Sequence, residues 1–390
     1  MDYNGDLNEY RNEMTQLLTY PDIDPQQWQA LIDRSPYATW FQTREAYEFY
    51  ASLPQEMTPF AVGVVEDVEC KAESVKCKGT DECKVESVKC KGTEHSGADK
   101  QTSSPYTLHP TPTLKGVIVG YITRERNPIK QYFTCRSIII GGPLLDEHIS
   151  NDALSALLLA AKRVTKGAIY VETRNFNDYS NWKEIFAGCG FDYIPHLNFH
   201  IDTSSLELAQ SNIGKHRWKY IRLSIRDGAT MVENPTIEQV RECYDLLVEL
   251  YTNKVKTPLF SWNFFKQLYH QPNARYLLVE LEGKIIGGTV CVCLPNKALY
   301  EWFVCGNDYY RKGIRPSSVA TWYGMQYAAT HGYPLFDLMG AGKPDEPYGV
   351  RDFKAEFGGN LVEHGRFLYV CKPLLYWIGK IGVKILKQRN

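Results

Sequence analysis

Lys354 lies in Tyr348-Gly-Val-Arg-Asp-Phe-Lys-Ala-Glu-Phe-Gly-Gly359, a setting that points to chemistry. Read as a helix, this segment places Val350, Phe353 and Phe357 on one face, with Lys354 at the edge of that face rather than opposite it. A lysine so placed either lays its stem over apolar surface or puts its charge to use. Just upstream, Gly340 and Gly342 follow the short run Phe336–Met339 and permit a tight turn or close backbone approach to a ligand. Acyl transfer from an ester or thioester to an amine needs a neutral amine, a carbonyl beside it and a stabiliser for the charge that develops on oxygen. Lys354 would supply that charge, and Phe353 would exclude water and position the acyl group. Tyr348 and Arg351 are the substrate contacts expected nearby. Asp337, Asp352 and Tyr348 stay open as acceptors of the amine proton, since spacing selects none of them.

Two basic segments could hold the substrates. In Lys215-His-Arg-Trp-Lys-Tyr-Ile-Arg-Leu-Ser-Ile-Arg226, a helix would align Lys215, Lys219, Arg222 and Arg226 within about 60° of each other, beside an apolar stripe of Trp218, Ile221 and Ile225. Four cations in a line repel unless an anion relieves them, so Arg226, Arg222 and Lys219 are candidate contacts for a phosphate-bearing precursor or an RNA backbone. The alternative is a solvated linker helix. In Tyr309-Tyr-Arg-Lys-Gly-Ile-Arg-Pro-Ser-Ser-Val319, a basic loop runs into a long helix. Arg311, Gly313, Arg315 and Ser317 would there favour an anion such as the pyrophosphate of coenzyme A, unless Pro316 and Ser317 merely start an ordinary helix.

Other chemistries find less support. The nine histidines are dispersed, and no spacing suggests a Ser/His/Asp or Cys/His nucleophile. Cys70, Cys77, Cys83 and Cys90 follow C-x6-C-x5-C-x6-C rather than the paired pattern of structural zinc, so no metal is expected. These four belong to a repeat, KAESVKCKGT at 71–80 and KVESVKCKGT at 84–93. It sits within a Lys, Glu, Ser, Thr and Gly-rich stretch, 66–112, whose composition suits a disordered hairpin insertion. The remaining cysteines read as reduced thiols.

The elements that must position these residues recur in one order twice. Helix, helix, three strands, long helix, strand, helix and strand run from residue 25 to 201, and again from 236 to 371. Two tandem α/β units with mixed sheets follow. The expected organisation is an N-terminal unit at 1–204, a basic linking helix at 205–235, a second unit at 236–371 and an amphipathic basic helix at 372–390. In the last, Leu374, Ile378, Ile381 and Ile385 face one way and Lys380, Lys384 and Lys387 another, so peripheral contact with an anionic membrane competes with simple docking on the second unit. The whole chain has 390 residues and a net charge of −1, which excludes a bulk electrostatic interaction with DNA. An acidic start and the lack of a long apolar run suggest the cytoplasm, with a peripheral position at the inner membrane face as the variant.

In this combination and order the chain resembles the FemABX aminoacyltransferases and the related BioF2-like acyltransferase domains. The features concerned are the tandem units, the helix ending Arg226-Asp-Gly228, the turn Phe336–Gly342 and Asp352-Phe-Lys354 ahead of Phe357-Gly358. The likeness is strongest over 205–371; earlier it rests on Phe41-Gln-Thr43, Gly141-Gly-Pro143 and element order. It implies two GNAT-like acyltransferase domains, with Phe353 and Lys354 at the reaction centre and Arg226 on precursor phosphates. It further implies N-acyl or aminoacyl transfer from acyl-CoA or aminoacyl-tRNA, with no tightly bound cofactor, to an amine of a cell-envelope precursor. In the family that acceptor is a peptidoglycan or lipid-linked precursor. One departure stands out: the helix after Phe41-Gln-Thr43 has Arg44 but none of the family's phosphate-binding lysine. That departure suits the competing expectation, a catalytically degenerate pair that binds an anionic ligand.

Overall fold

Local signals at helix starts account for much of the framework. Asp24 accepts from the backbone N–H groups of Gln26 and Gln27 ahead of Pro25, and Thr236 forms a capping box with Gln239. The computed structural model describes residues 15–66 and 112–388, with side chains as far as Ile381. The repeats and their four cysteines therefore lie outside the described residues.

The first half contains β1 (Thr15–Thr19), α1 (Pro25–Arg34), α2 (Arg44–Ala51), β2 (Met57–Glu66), β3 (Thr113–Thr123), α3 (Pro128–Thr134), β4 (Ser137–Gly141) and β5 (Leu144–Leu145). It continues through α4 (Asn151–Val164), β6 (Tyr170–Asn175), α5 (Lys183–Gly188), β7 (Asp192–Ile194) and β8 (Leu197–Asp202). Two helices, α6 (Leu206–Ser211) and α7 (Lys215–Arg226), occupy the linking region. The second half contains β9 (Thr230–Val232), α8 (Ile237–Leu250), α9 (Trp262–Tyr269), β10 (Ala274–Leu281), β11 (Lys284–Leu294), β12 (Ala298–Gly306) and α10 (Pro316–Thr330). It ends with β13 (Leu335–Asp337), α11 (Gly349–Ala355), β14 (Asn360–Glu363), β15 (Arg366–Val370) and α12 (Pro373–Gln388).

These strands form two mixed sheets, as the tandem α/β reading expects. The first runs β1-β2-β3-β4-β6-β15-β7, and the second runs β14-β8-β13-β12-β11-β10-β9. The order shows an exchange. β8, at the end of the first half, lies in the second sheet between β13 and β14, while β15, at the end of the second half, lies in the first sheet between β6 and β7. Where the sequence suggests one strand at 194–201 and one at 363–371, the structure has two each time. One member of each pair stays with its own sheet or crosses to the other, and Gly365 makes the second break at φ +63°. The single linking helix is likewise two helices, because Gly214 interrupts it by donating its N–H to the Glu356 carbonyl at 2.9 Å.

An aromatic seam joins the halves. Phe41, fully buried, lies edge-on to Tyr300 at 5.7 Å and to Trp302 at 5.0 Å, and Phe49 meets Phe264 at 5.2 Å. Beside it, Lys297 crosses from the second half to donate to the carbonyls of Ile32 and Ser35 at 2.9 and 2.8 Å. Sheet completion and seam together make each half dependent on the other. Fragments 1–204 and 205–390 made separately are expected to lack cooperative thermal unfolding, and mixing them should restore it; two independent sharp melts would contradict the exchange. Truncating Phe41 to Ala should cost about 3–5 kcal/mol by chemical denaturation.

Candidate active site

Parallel pairing between β12 and β13 lasts only three residues: Ala298 with Leu335, Leu299 with Phe336 and Tyr300 with Asp337. Beyond Asp337 the chain follows β8 instead, with Leu338 N–H on the Phe199 carbonyl and Ala341 N–H on that of Leu197. The edge of β12 from Glu301 to Gly306 is thus left without a parallel partner strand. Asp337 and Asn198 hold the departing turn. Asp337 Oδ1 accepts from Asn198 Nδ2 at 2.8 Å and from the Met339 N–H at 2.6 Å, and Asn198 Oδ1 accepts from the Gly340 N–H at 2.7 Å. Met339 and Gly340 both have positive φ, which makes the turn sharp enough to open the fork.

Lys354 enters this fork from α11. It is buried, and its ammonium donates to the Leu338 carbonyl and, at 2.7 Å, to that of Gly340. Burial lowers its pKa, against the pull of Glu301 and Asp337. Glu301, the first residue of β12 beyond its pairing with β13, is also buried, and burial raises its carboxyl to about 7 despite Lys354 and the hydroxyls of Thr321 and Thr289. Thr289 Oγ1 donates to Glu301 Oε1 at 3.1 Å. On the far side, His200 Nε2 stands 3.2 Å from Asp337 Oδ2, and its ring lies 5.2 Å from that of His364. An ammonium therefore shares a low-dielectric pocket with two carboxyls, one of which titrates near neutrality.

Phe353 turns to the other side of α11. Its half-buried ring meets Phe357 at 5.2 Å, and the Arg217 guanidinium stands 4.8 Å from its centroid. Arg217 also pairs with Glu356 at 2.9 Å and donates to Ser318, tying α7 to α11 and α10. Tyr348 and Asp352 are exposed, and Arg351 is spent on the loop before it, donating to the carbonyls of Lys343 and Glu346. On α7 the four aligned cations Lys215, Lys219, Arg222 and Arg226 all face solvent, while Ile221 and Ser224 are buried and Trp218 packs on Trp322 at 4.8 Å. Arg226 pairs with Asp227 at 2.9 Å, so it and Lys354 have separate partners. Arg44 pairs with Glu48 one turn along α2.

At the far end of the open β12 edge, the loop into α10 forms a cavity of about 490 Å³ lined by Lys254, Asp308, Tyr309, Lys312, Gly313 and Arg315. Gly306 lets the loop close, since a Cβ there would collide with the backbone nitrogen of Ser317. Gly313, at φ +93° with open space beside it, leaves room at the wall. The Arg315 N–H donates to Ser224 Oγ at 3.0 Å, and Arg315 stacks near Tyr220, fixing this cation against α7. Of the four residues expected to bind an anion here, Gly313 and Arg315 line the cavity. Ser317 lies in the first turn of α10 behind Pro316, the ordinary helix start expected as the alternative, and donates to the lining residue Asp308 at 3.1 Å. Arg311 turns away to Glu282. Three cations against one carboxylate suit a phosphate or pyrophosphate.

Sequence reasoning passed over Glu301, Asn198, Arg217 and Lys254. Glu301 had a signal, a lone carboxylate inside the apolar run Ala298–Cys305. Asn198 had none, because it arrives through the exchanged strand. Among the described residues no group of three or more His, Cys, Asp and Glu side chains is gathered as for a metal, and the seven described cysteines are free thiols.

Residues 215–354 match the family model for an acetyltransferase (GNAT) domain. No curated protein matches the chain in sequence. Among solved structures, that of FemX superposes with a TM-score of 0.61 at 14% identity, covering 93% of this chain and 99% of FemX. A tandem GNAT protein from the clavulanic acid biosynthesis pathway, solved without AcCoA, gives a TM-score of 0.50 at 9% identity over 92% of this chain and 98% of its own. Residues 215–354 are thus similar to a GNAT domain, and the chain as a whole shares its fold with FemX and with the tandem GNAT protein.

Proposed function

We propose that this chain is an N-acyltransferase of the FemABX kind, moving an acyl or aminoacyl group from acyl-CoA or aminoacyl-tRNA to an amine of a cell-envelope or other phosphate-bearing precursor. The open edge of β12 carries this reading. It has the Lys354 cluster at one end and the cation-lined cavity at the other, separated by five strand steps or roughly 17 Å. A donor whose acyl end and phosphates are held apart by an extended arm, as in acyl-CoA, fits that separation. Phosphates would sit against Lys254, Lys312 and Arg315, and the arm would pair with the free backbone of β12. The acyl carbonyl would then lie near Lys354, two of whose three N–H donors are taken by Leu338 and Gly340. The third remains for the oxyanion. The amine nitrogen bonds to the acyl carbon and loses a proton to a base, Asp337, Asp352 and Tyr348 being the candidates. The carbon–sulfur or carbon–oxygen bond breaks, and the leaving group takes up a proton. The exposed line Lys219, Arg222 and Arg226 supplies a surface for the acceptor's phosphates.

One observation favours a second reading, a degenerate pair that only binds an anionic ligand. The Lys354 ammonium is held by backbone carbonyls, which is also how a purely structural lysine would sit. Incubation with labelled acyl-CoA and aminoacyl-tRNA separates the two, since binding without turnover of any donor would select the second reading.

Lys254→Gln and Lys312→Gln, both at exposed positions, should raise the KM for the donor at least tenfold with kcat within about threefold and an unchanged melting temperature. Unchanged KM would remove the cavity from the donor site. Lys354→Met should abolish transfer and also lower stability by about 3–5 kcal/mol, because it leaves buried carbonyls and Asp337 without their cation. Glu301 gives a pH signature. Its folded pKa, about 7, lies above the ordinary 4.5, so the folded state holds the extra proton and stability falls as pH rises between those values, by on the order of 3 kcal/mol. Glu301→Gln should flatten that part of the stability curve measured by urea denaturation; an unaltered slope would place the titration elsewhere.

A further inference from the structure

Two neighbouring helices are mounted with their apolar faces outward. In α3 the polar Gln131 points in, donating to the Thr123 carbonyl at 3.0 Å, whereas Ile129, Tyr132 and Phe133 are 50–72% exposed. No residue of α3 is buried. In α12 the helical stripe Leu374, Trp377, Ile378 and Ile381 is 37–70% exposed, while Tyr376 on another face packs against Tyr170 at 5.5 Å. A surface helix of a water-soluble domain normally does the reverse, burying its apolar stripe. The two helices touch, and Lys372 joins them, donating to the Gly167 carbonyl at 2.8 Å with its ammonium 5.8 Å from the Tyr132 ring. Their exposed side chains therefore belong to one patch of large aliphatic and aromatic groups.

Charge identifies what covers it. Residues 128–134 and 372–389 contain Lys130, Lys372, Lys380, Lys384, Lys387 and Arg389 and no Asp or Glu. Glu125, just ahead of α3, pairs with Lys130 at 3.0 Å. An apolar stripe with Trp, Tyr and Phe, on two segments whose own charged residues are all cationic, matches the headgroup region of an anionic bilayer, where rings sit at the interface and ammonium groups reach lipid phosphates. A second copy of this chain would bring the same cations against them. No helix among the described residues is long and apolar enough to cross a membrane, so the contact is a surface one.

We infer that α3 and α12 together form a docking surface for anionic lipid bilayers, with α3, an element remote in sequence, as an equal part of it. The inference does not depend on the proposed transferase reaction, and its test uses neither donor nor acceptor. The full chain is to be sedimented with vesicles of 3:1 phosphatidylcholine and phosphatidylglycerol, and separately with pure phosphatidylcholine. Binding to the mixed vesicles is expected at least tenfold above binding to the neutral ones. The pair Ile129→Glu and Phe133→Glu, and the pair Trp377→Glu and Ile381→Glu, should each reduce it at least tenfold. Exposed positions should leave the melting temperature unchanged; if one pair unfolds the chain, Ile129→Ser with Phe133→Ser, or Trp377→Ser with Ile381→Ser, replaces it. Failure to bind mixed vesicles, equal binding to both kinds, or binding indifferent to the α3 pair would overturn the proposal. So would light scattering that shows a concentration-dependent dimer, lost in both pairs, with vesicles ignored.

Discussion

Each sheet borrows its completing strand from the opposite half of the chain, and this exchange constrains everything else. Backbone groups along β8 and β15 must find partners, and the partners lie across the molecule. Because β8 draws the chain after Asp337 away from β12, the same pairing that closes the second sheet also opens the fork. The fork then presents free backbone on one side and the turn carbonyls of Leu338 and Gly340 on the other. A buried lysine satisfies those carbonyls. Fold completion and the making of a reactive environment are thus one event at the level of hydrogen bonding.

Within the fork, dielectric does most of the work. Removing water lowers the affinity of Lys354 for its proton and raises that of Glu301, and the two groups partly cancel each other's shift. A single carboxyl, Asp337, would already balance the ammonium. The second, Glu301, is free to be protonated near neutral pH because nothing else demands its charge. The cavity at the end of β12 works by different means, with exposed cations gathered by a loop rather than charges tuned by burial.

Much of this architecture was legible in the sequence because it depends on local patterning. The repeated order of elements, the long helix α4 and the meanders follow from apolar periodicity and turn residues, whereas α10, buried on nearly every side, is read from its length and its Pro316 start. Lys354 and the Gly313–Arg315 loop stood out because they break such patterns. What escaped is what depends on pairing at a distance. Nothing near Leu197 or Arg366 says which sheet will take the strand, and Asn198 gains its part only after the exchange. α3 was missed because Pro128–Thr134 is too short to show a period, and β1 and β9 because short edge strands carry little pattern. Lys254 sits in the π-helical turn Tyr251–Val255 that continues α8, where no motif would draw notice.

The hairpin of β2 and β3 stays paired to its end, with Glu66 opposite Thr113 beyond a bulge between Val64 and Val65. The chain ends on either side of the intervening segment are thus held opposite each other. For such a loop, doubling the length adds only about 0.6 kcal/mol of closure entropy. A unit of thirteen residues copied or deleted there is therefore almost invisible to the folded body. The near-perfect repeat of 71–80 at 84–93 therefore stands at a position where added length costs the fold little.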